Sequence, residues 1–291
     1  MSVNSAPGRR QERPERVKKG RRGAPVPWLI AVALILAAFA GFLYYLLQPV
    51  TFTYRGMTME AVPGVAVNRY DPDGFYTDEK GRVQYTSKGA SARAGIDVSY
   101  SQGDIDWAAV AADGVDFAII RLGYRGYTKG AIQTDSCFYQ NIQGALDAGL
   151  DVGVYFFSQA ITPQEGMEEA QFVLDTLAGC DITYPVVFDW EPITPGNGAR
   201  TDGLDGQTLT QCAVSFCRTI QEGGYQPMVY FNQDQGYLTY DLTQLDQWPF
   251  WLAEYDQIPG FYYHFDFWQY THTGTVAGIQ GEVDWNLDLR P

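Results

Sequence analysis

The feature that most constrains this chain is a series of eight short apolar runs, beginning at Gly95 and spaced to the C-terminal end, most of them closing on polar or acidic residues. They fall at 95–100, 117–123, 152–158, 184–190, 227–232, 249–255, 266–271 and 282–287. Runs of six or seven residues have the length of strands. Amphipathic stretches at 105–113, 136–148, 163–178 and 208–222 separate the first five, each starting near a Ser, Thr or Asp cap or a proline, and these predict helices. Little room for helices is left between the last three strands. Alternation of this kind specifies a parallel α/β arrangement, and eight strands specify closure: an irregular TIM-like β/α barrel, helix-poor at its end, over residues 93–291. An open doubly wound sheet is the alternative, but SYSQGDIDW after the first strand lacks the glycine-rich loop of a nucleotide site.

The 46% apolar content is ample for such a core. Charge is uneven. Residues 9–22 carry eight basic side chains against Glu12 and Glu15, about +6, so the rest is near −20 out of a total of −14. So acidic a body repels nucleic acid, and no nucleic-acid partner is expected. The basic arm, residues 1–26, is explained by the neighbouring segment. Residues 27–47 hold no charge and are long enough to cross a ~30 Å hydrocarbon core as a helix. Basic residues before the span place the arm in the cytoplasm and everything after it outside. This predicts a single-pass protein of the cell membrane, anchored by its N-terminal helix. A signal peptide cleaved near Ala38-Phe39-Ala40 gives the same topology and a secreted product. Residues 48–92, rich in Gly, Asp, Tyr and Ser, read as an extracytoplasmic stalk.

Outside the cell, Cys137, Cys180, Cys212 and Cys217 would meet conditions that permit disulfides. Cys212 and Cys217 are five apart in a predicted helix, too distant to bridge, so buried free thiols are an equal expectation.

In a barrel, chemistry gathers at the carboxyl ends of the strands, and there the chain places acids. The fourth strand runs Pro185-Val186-Val187-Phe188-Asp189-Trp190-Glu191. Residues two apart on a strand point the same way, about 6–7 Å apart, so Asp189 and Glu191 face one site. Carboxyls that close raise the pKa of one of them and make it a candidate general acid. Asp97 lies in the first strand and Asp284 in the last, neighbours once the barrel closes. Aromatic residues Tyr155, Phe157, Tyr230, Trp251, Tyr255, Trp268 and Tyr270 cluster in the same strands, and such rings stack on the C–H faces of sugars when they do not simply fill the core. His264 and His272 are the only histidines, neither in a spaced ligand pair, and no Cys-x-x-Cys or G-x-S-x-G occurs. No metal and no cofactor are expected.

With these segments in place, the chain resembles glycoside hydrolase family 25, the muramidases. The likeness runs from GIDVSYSQGDIDW at 95–107 through FAIIRLGY, GLDVGVYFFS, YPVVFDWE, PMVYFN, FWLAEY and DFWQYT to GIQGEVDWNLD at 278–288. It implies a β/α barrel with fewer helices than strands. It also implies cleavage of the β-1,4 bond between N-acetylmuramic acid and N-acetylglucosamine in peptidoglycan glycan strands. By the same likeness Glu191 is the proton donor, and Asp189 orients the substrate's N-acetyl group for attack on the anomeric carbon. Asp97 and Asp284 then position the sugar and tune Glu191. Tyr155, Phe157, Tyr230, Trp251, Trp268 and Gln269 are the expected substrate-binding residues. VDWN stands where the family more often has leucine before the asparagine, which leaves the aspartate intact. A catalytically idle glycan-binding tether, or hydrolysis of another N-acetylhexosamine polymer, are the alternatives the sequence leaves open.

Overall fold

A computed structural model describes Met1 and residues 26–46, 48–194, 197–255 and 258–290. The basic arm, apart from Met1 and Val26, and Leu47 at the end of the expected span lie outside these residues. The chain divides into two compact units, residues 1–61 and 62–291. In the first unit, helix α1 (Val26–Leu46) buries none of its residues. A hairpin of Thr51–Tyr54 and Met57–Glu60 comes next, turning at Arg55 and Gly56, both at positive φ.

The second unit is built on a closed eight-stranded barrel: β1 (Arg93–Val98), β2 (Phe117–Arg125), β3 (Asp151–Ser158), β4 (Val186–Trp190), β5 (Pro227–Asn232), β6 (Phe250–Ala253), β7 (Phe267–Gly274) and β8 (Val283–Asp288). Each strand pairs with the next, and β8 pairs with β1 to close the ring. From β1 to β7 the pairing is parallel. The last strand departs from the all-parallel expectation, since β8 is antiparallel to both β7 and β1. The cause is its connection: residues 275–282 are too few for a crossover, which takes a dozen or more, so the chain can only turn back.

Helices α2 (Trp107–Ala112), α3 (Phe138–Asp147), α4 (Pro163–Leu177) and α5 (Gly206–Glu222) occupy the four predicted intervals, and α6 (Gln233–Leu238) is an unpredicted short helix after β5. Their starts reflect local chemistry. Thr162 caps α4 by accepting from Glu165 N, with Pro163 in the first turn, and Asp205 caps α5 by accepting from Thr208 N. Helices α4 and α5 approach closely at Gly166, where a Cβ would lie 2.4 Å from the Cys212 carbonyl oxygen. All four cysteines are free thiols, Cys212 and Cys217 buried in α5.

The amino end of the barrel is plugged by aromatic packing. Phe117 stacks on Tyr184 with ring centroids 4.8 Å apart and lies 5.3 Å from Phe267. Gly95 makes room, because a Cβ there would sit 2.3 Å from the Phe117 ring. Above this floor lie Ile119, Val187, Met228, Tyr230 and Trp251 in one buried cluster. Only the opposite end is left for chemistry.

Residues 62–92, expected as stalk, belong to the barrel's compact unit. Tyr70 Oη donates to the Phe265 carbonyl at 2.5 Å. Strands Phe75–Thr77, Val83–Ser87 and Ala90–Ser91 form a small antiparallel sheet. Phe75 meets Trp268 edge-on at 5.4 Å, and the Arg82 guanidinium lies 4.2 Å over the Trp285 ring.

Candidate active site

Because β8 runs backwards, its first residues reach the same end of the barrel as the last residues of the parallel strands. Asp284 therefore sits directly opposite Asp97 of β1. Asp97 is buried, and its Oδ2 accepts from Gln269 Nε2 and Asn286 Nδ2, each at 2.8 Å. Burial pushes the Asp97 carboxyl well above the usual range, and the charge of Asp284 pushes it further against those two amide donors. Asp284 is raised to about 6, chiefly by burial, with its hydrogen bond to Asp97 opposing the rise.

Asp189, at the inward face of β4, is buried, and its Oδ1 has no hydrogen-bond partner. Its carboxyl is held well above the ordinary range by burial first, then by Glu191 and Asp97; Arg121 opposes this. Glu191 lies one residue past the end of β4 and is half-buried. Its carboxyl is raised by burial and by the charge of Asp97. The four acids thus form one electrostatic cluster, in which each ionised member makes the next harder to ionise.

Beneath them a chain of polar contacts fixes the floor of the site. Tyr230 Oη and Tyr255 Oη donate to Gln269 Oε1 at 3.0 and 2.9 Å, so that Gln269 presents its amide to Asp97. Trp251 Nε1 donates to Asn286 Oδ1 at 2.8 Å, orienting the other amide that holds Asp97. Trp251 is thus a buried support, with Tyr155 edge-on to it at 6.5 Å. Phe157 is half-buried at the rim and lines a cavity of about 390 Å³ with Tyr100, Arg121, Tyr124, Gln133, Thr134 and Ser136. A larger depression, about 560 Å³, lies beside Arg69, Tyr70 and Arg290, away from the four carboxyls.

Trp268 is the one expected substrate-binding residue that is not brought to this cluster, and Tyr270, on the same strand face and 5.6 Å from it, is likewise turned away. Trp268 stands between Phe267 and Gln269, both inward-facing, so strand alternation turns it outward. There it is fully buried against Phe75, and its Nε1 donates to the Glu254 carbonyl at 2.7 Å. Conversely, Asn286 and Arg121 join the site without having been expected from the sequence. Alternation was the available signal for both: Asn286 shares the face of Asp284, and Arg121 that of Ile119. Arg121 is held by buried Asp135, with Nε and Nη2 each 2.7 Å from Oδ2.

Residues 96–279 match glycosyl hydrolases family 25, and the chain belongs to that family. It is 29% identical over 202 residues to Lysozyme M1 of Streptomyces globisporus, covering 66% of each chain. It is 28% identical over 197 residues to the autolytic lysozyme of Clostridium acetobutylicum, covering 65% of this chain and 54% of that one. The chain therefore spans less than two thirds of the length of these relatives. Among solved structures it is similar to the bacterial lysozyme of Streptomyces coelicolor, with a TM-score of 0.53 and 25% identity over 68% of this chain and 92% of that one.

Proposed function

We propose that this protein is a peptidoglycan hydrolase that cuts the β-1,4 bond between N-acetylmuramic acid and N-acetylglucosamine. The observation that carries the reading is the convergence of Asp97, Asp189, Glu191 and Asp284 at the open end of the barrel, each with its carboxyl raised by burial. A raised carboxyl is still protonated when a substrate arrives, as a general acid must be. Glu191, half-buried just past the end of β4, donates that proton to the glycosidic oxygen as the bond to the anomeric carbon breaks. Asp189 has a buried oxygen without a partner, suited to accept the N–H of the substrate's acetamido group. So oriented, the acetamido oxygen attacks the anomeric carbon, and water opens the resulting ring with Glu191, now a carboxylate, taking its proton. Asp97 and Asp284 share the site and position the sugar, and the charge of Asp97 helps to keep Glu191 protonated.

The exposed apolar helix α1 supports a membrane anchor, with the arm in the cytoplasm and the barrel outside, facing the wall. Digestion of purified peptidoglycan by the full chain in detergent, with and without Glu191→Gln, tests the chemistry. New N-acetylmuramic acid reducing ends, identified by mass spectrometry and absent with the variant, are expected. N-acetylglucosamine ends would change the specificity, and glycan binding without products would make the protein a wall tether.

A further inference from the structure

The backbone that carries Glu191 is held by side chains where the sheet stops holding it. Pairing of β4 with β5 ends at Asp189 and Tyr230, and pairing with β3 ends at Trp190 and Ser158. The next two carbonyls are claimed by two buried glutamines. Gln235 Nε2, from α6 beyond β5, donates to the Trp190 oxygen at 2.5 Å. Gln159 Nε2, just beyond β3, donates to the Glu191 oxygen at 3.1 Å and to the Ser158 oxygen at 2.9 Å.

Each glutamine is itself fixed. Gln235 Oε1 accepts from Asn232 N at 2.8 Å, part of the capping box of α6. Gln159 Oε1 accepts from Thr201 Oγ1 at 2.8 Å, while its carbonyl takes Arg200 Nη1 at 3.2 Å. Arg200 is pinned to α4 by Glu165 at 2.6 Å. Both amides are almost fully buried, so neither contact can be exchanged for water without moving the chain.

We propose that Gln159 and Gln235 are positioning residues of the hydrolysis: they extend the ladder past the end of β4 from its two flanking strands and thereby fix the direction in which Glu191 leaves the main chain. This rests on the reading of Glu191 as proton donor. The aim of an acid matters steeply, since a misplacement of about 1 Å costs rate by about 10²-fold. Thr201 belongs to the same device, because its hydroxyl sets the rotamer of Gln159.

The test is kcat, KM and the kcat pH profile of the full chain in detergent on purified peptidoglycan, for Gln159→Leu, Gln235→Leu, Thr201→Val and Thr201→Ser. Gln159→Leu is expected to lower kcat by about 10²-fold with KM within about two-fold, and to move the alkaline limb of the profile as Glu191 shifts relative to Asp97. Thr201→Val loses about ten-fold in kcat, and Thr201→Ser, which keeps the hydroxyl, returns to within about two-fold of wild type. Folded Gln159→Leu with unchanged kcat and profile would overturn the proposal. Should the leucine variants fail to fold, the Thr201 pair decides, and equal kcat in valine and serine forms overturns it. A wild-type chain without activity would instead remove the hydrolase reading, and this inference with it.

Discussion

The two ends of the barrel both bury aspartate, and they treat it in opposite ways. At the amino end, Asp288 is surrounded by donors and a cation: Tyr184 Oη at 2.8 Å, Arg290 Nε at 2.9 Å and Arg290 Nη2 at 2.8 Å. Arg93 closes the group through the Tyr184 hydroxyl at 2.7 Å. At the carboxyl end, Asp97 is met by two neutral amides and another acid, and Asp189 keeps one oxygen unpartnered. A buried charge matched by a cation is structural; buried acids left to one another hold protons at unusual pH and are where chemistry is found. One strand, β8, supplies both kinds, Asp284 at its start and Asp288 at its end, so the difference lies in the surroundings and not in the residue.

The sharpest test of this contrast is at Glu191. Glu191→Gln is expected to reduce reducing-end release by about 10²–10⁴-fold while leaving the melting temperature unchanged or higher, since no cation loses its partner. A comparable loss of stability would erase the distinction between the ends. Next comes the segment 62–92, which reaches toward the carboxyl end. Lys80 and Arg82 bind Asp113, and Asp113 also accepts from Ala277 N in the loop that precedes Asp284. A fragment of residues 62–291 is expected to unfold at the same urea concentration as the barrel of the full chain. One of residues 93–291, stripped of the cover on Trp268 and Trp285, should lose about 3–5 kcal/mol or not fold, comparable to a large core truncation. Equal stability of the two fragments would return this segment to the role of a stalk.

At the amino end, Asp288→Asn removes the charge that Arg290 faces and is expected to cost about 2–3 kcal/mol in urea unfolding, less than a fully buried pair because Arg290 is partly exposed. Activity of the folded protein should be unchanged. The smallest effect is the pH dependence of stability at Asp284. Its folded pKa of about 6 exceeds the ordinary 3.8, so the folded state retains a proton that the unfolded chain gives up. That contribution is complete below pH 3.8 and lost as pH rises through about 6. Asp284→Asn, compared with wild type by urea unfolding between pH 4 and 8, should gain relative stability by on the order of 1–3 kcal/mol across that range. A difference that stays flat with pH would mean that Asp284 is solvated like any surface acid.

Much of the scaffold was legible because strand periodicity is local. All eight strands and the four helices that separate the first five lie where apolar runs and caps put them. The direction of β8 was not anticipated, although the eight residues between β7 and β8 were countable and exclude a crossover. Trp268 was misplaced for a different reason: aromatic identity was used without alternation, and alternation turns it away. Residues 62–92 carry no strong pattern, since short strands with Gly and Asp turns look alike whether they pack or not. Gln159 and Gln235 left no trace, because their partners are carbonyls that every residue possesses.

What the sequence determined by itself is therefore what depends on neighbours along the chain: which segments are strands, which residues share a face, and which four acids are carried to strand ends. What only the tertiary structure decided is what depends on neighbours in space. The reversal of β8 brings Asp284 across from Asp97. Closure of the ring buries Asp97, half-buries Asp284 and leaves the pair without a bonded cation, whereas Arg290 reaches Asp288. The physical reason is that burial and charge act through space, so two aspartates four residues apart in one strand become a member of the candidate site's acid cluster and a structural anion.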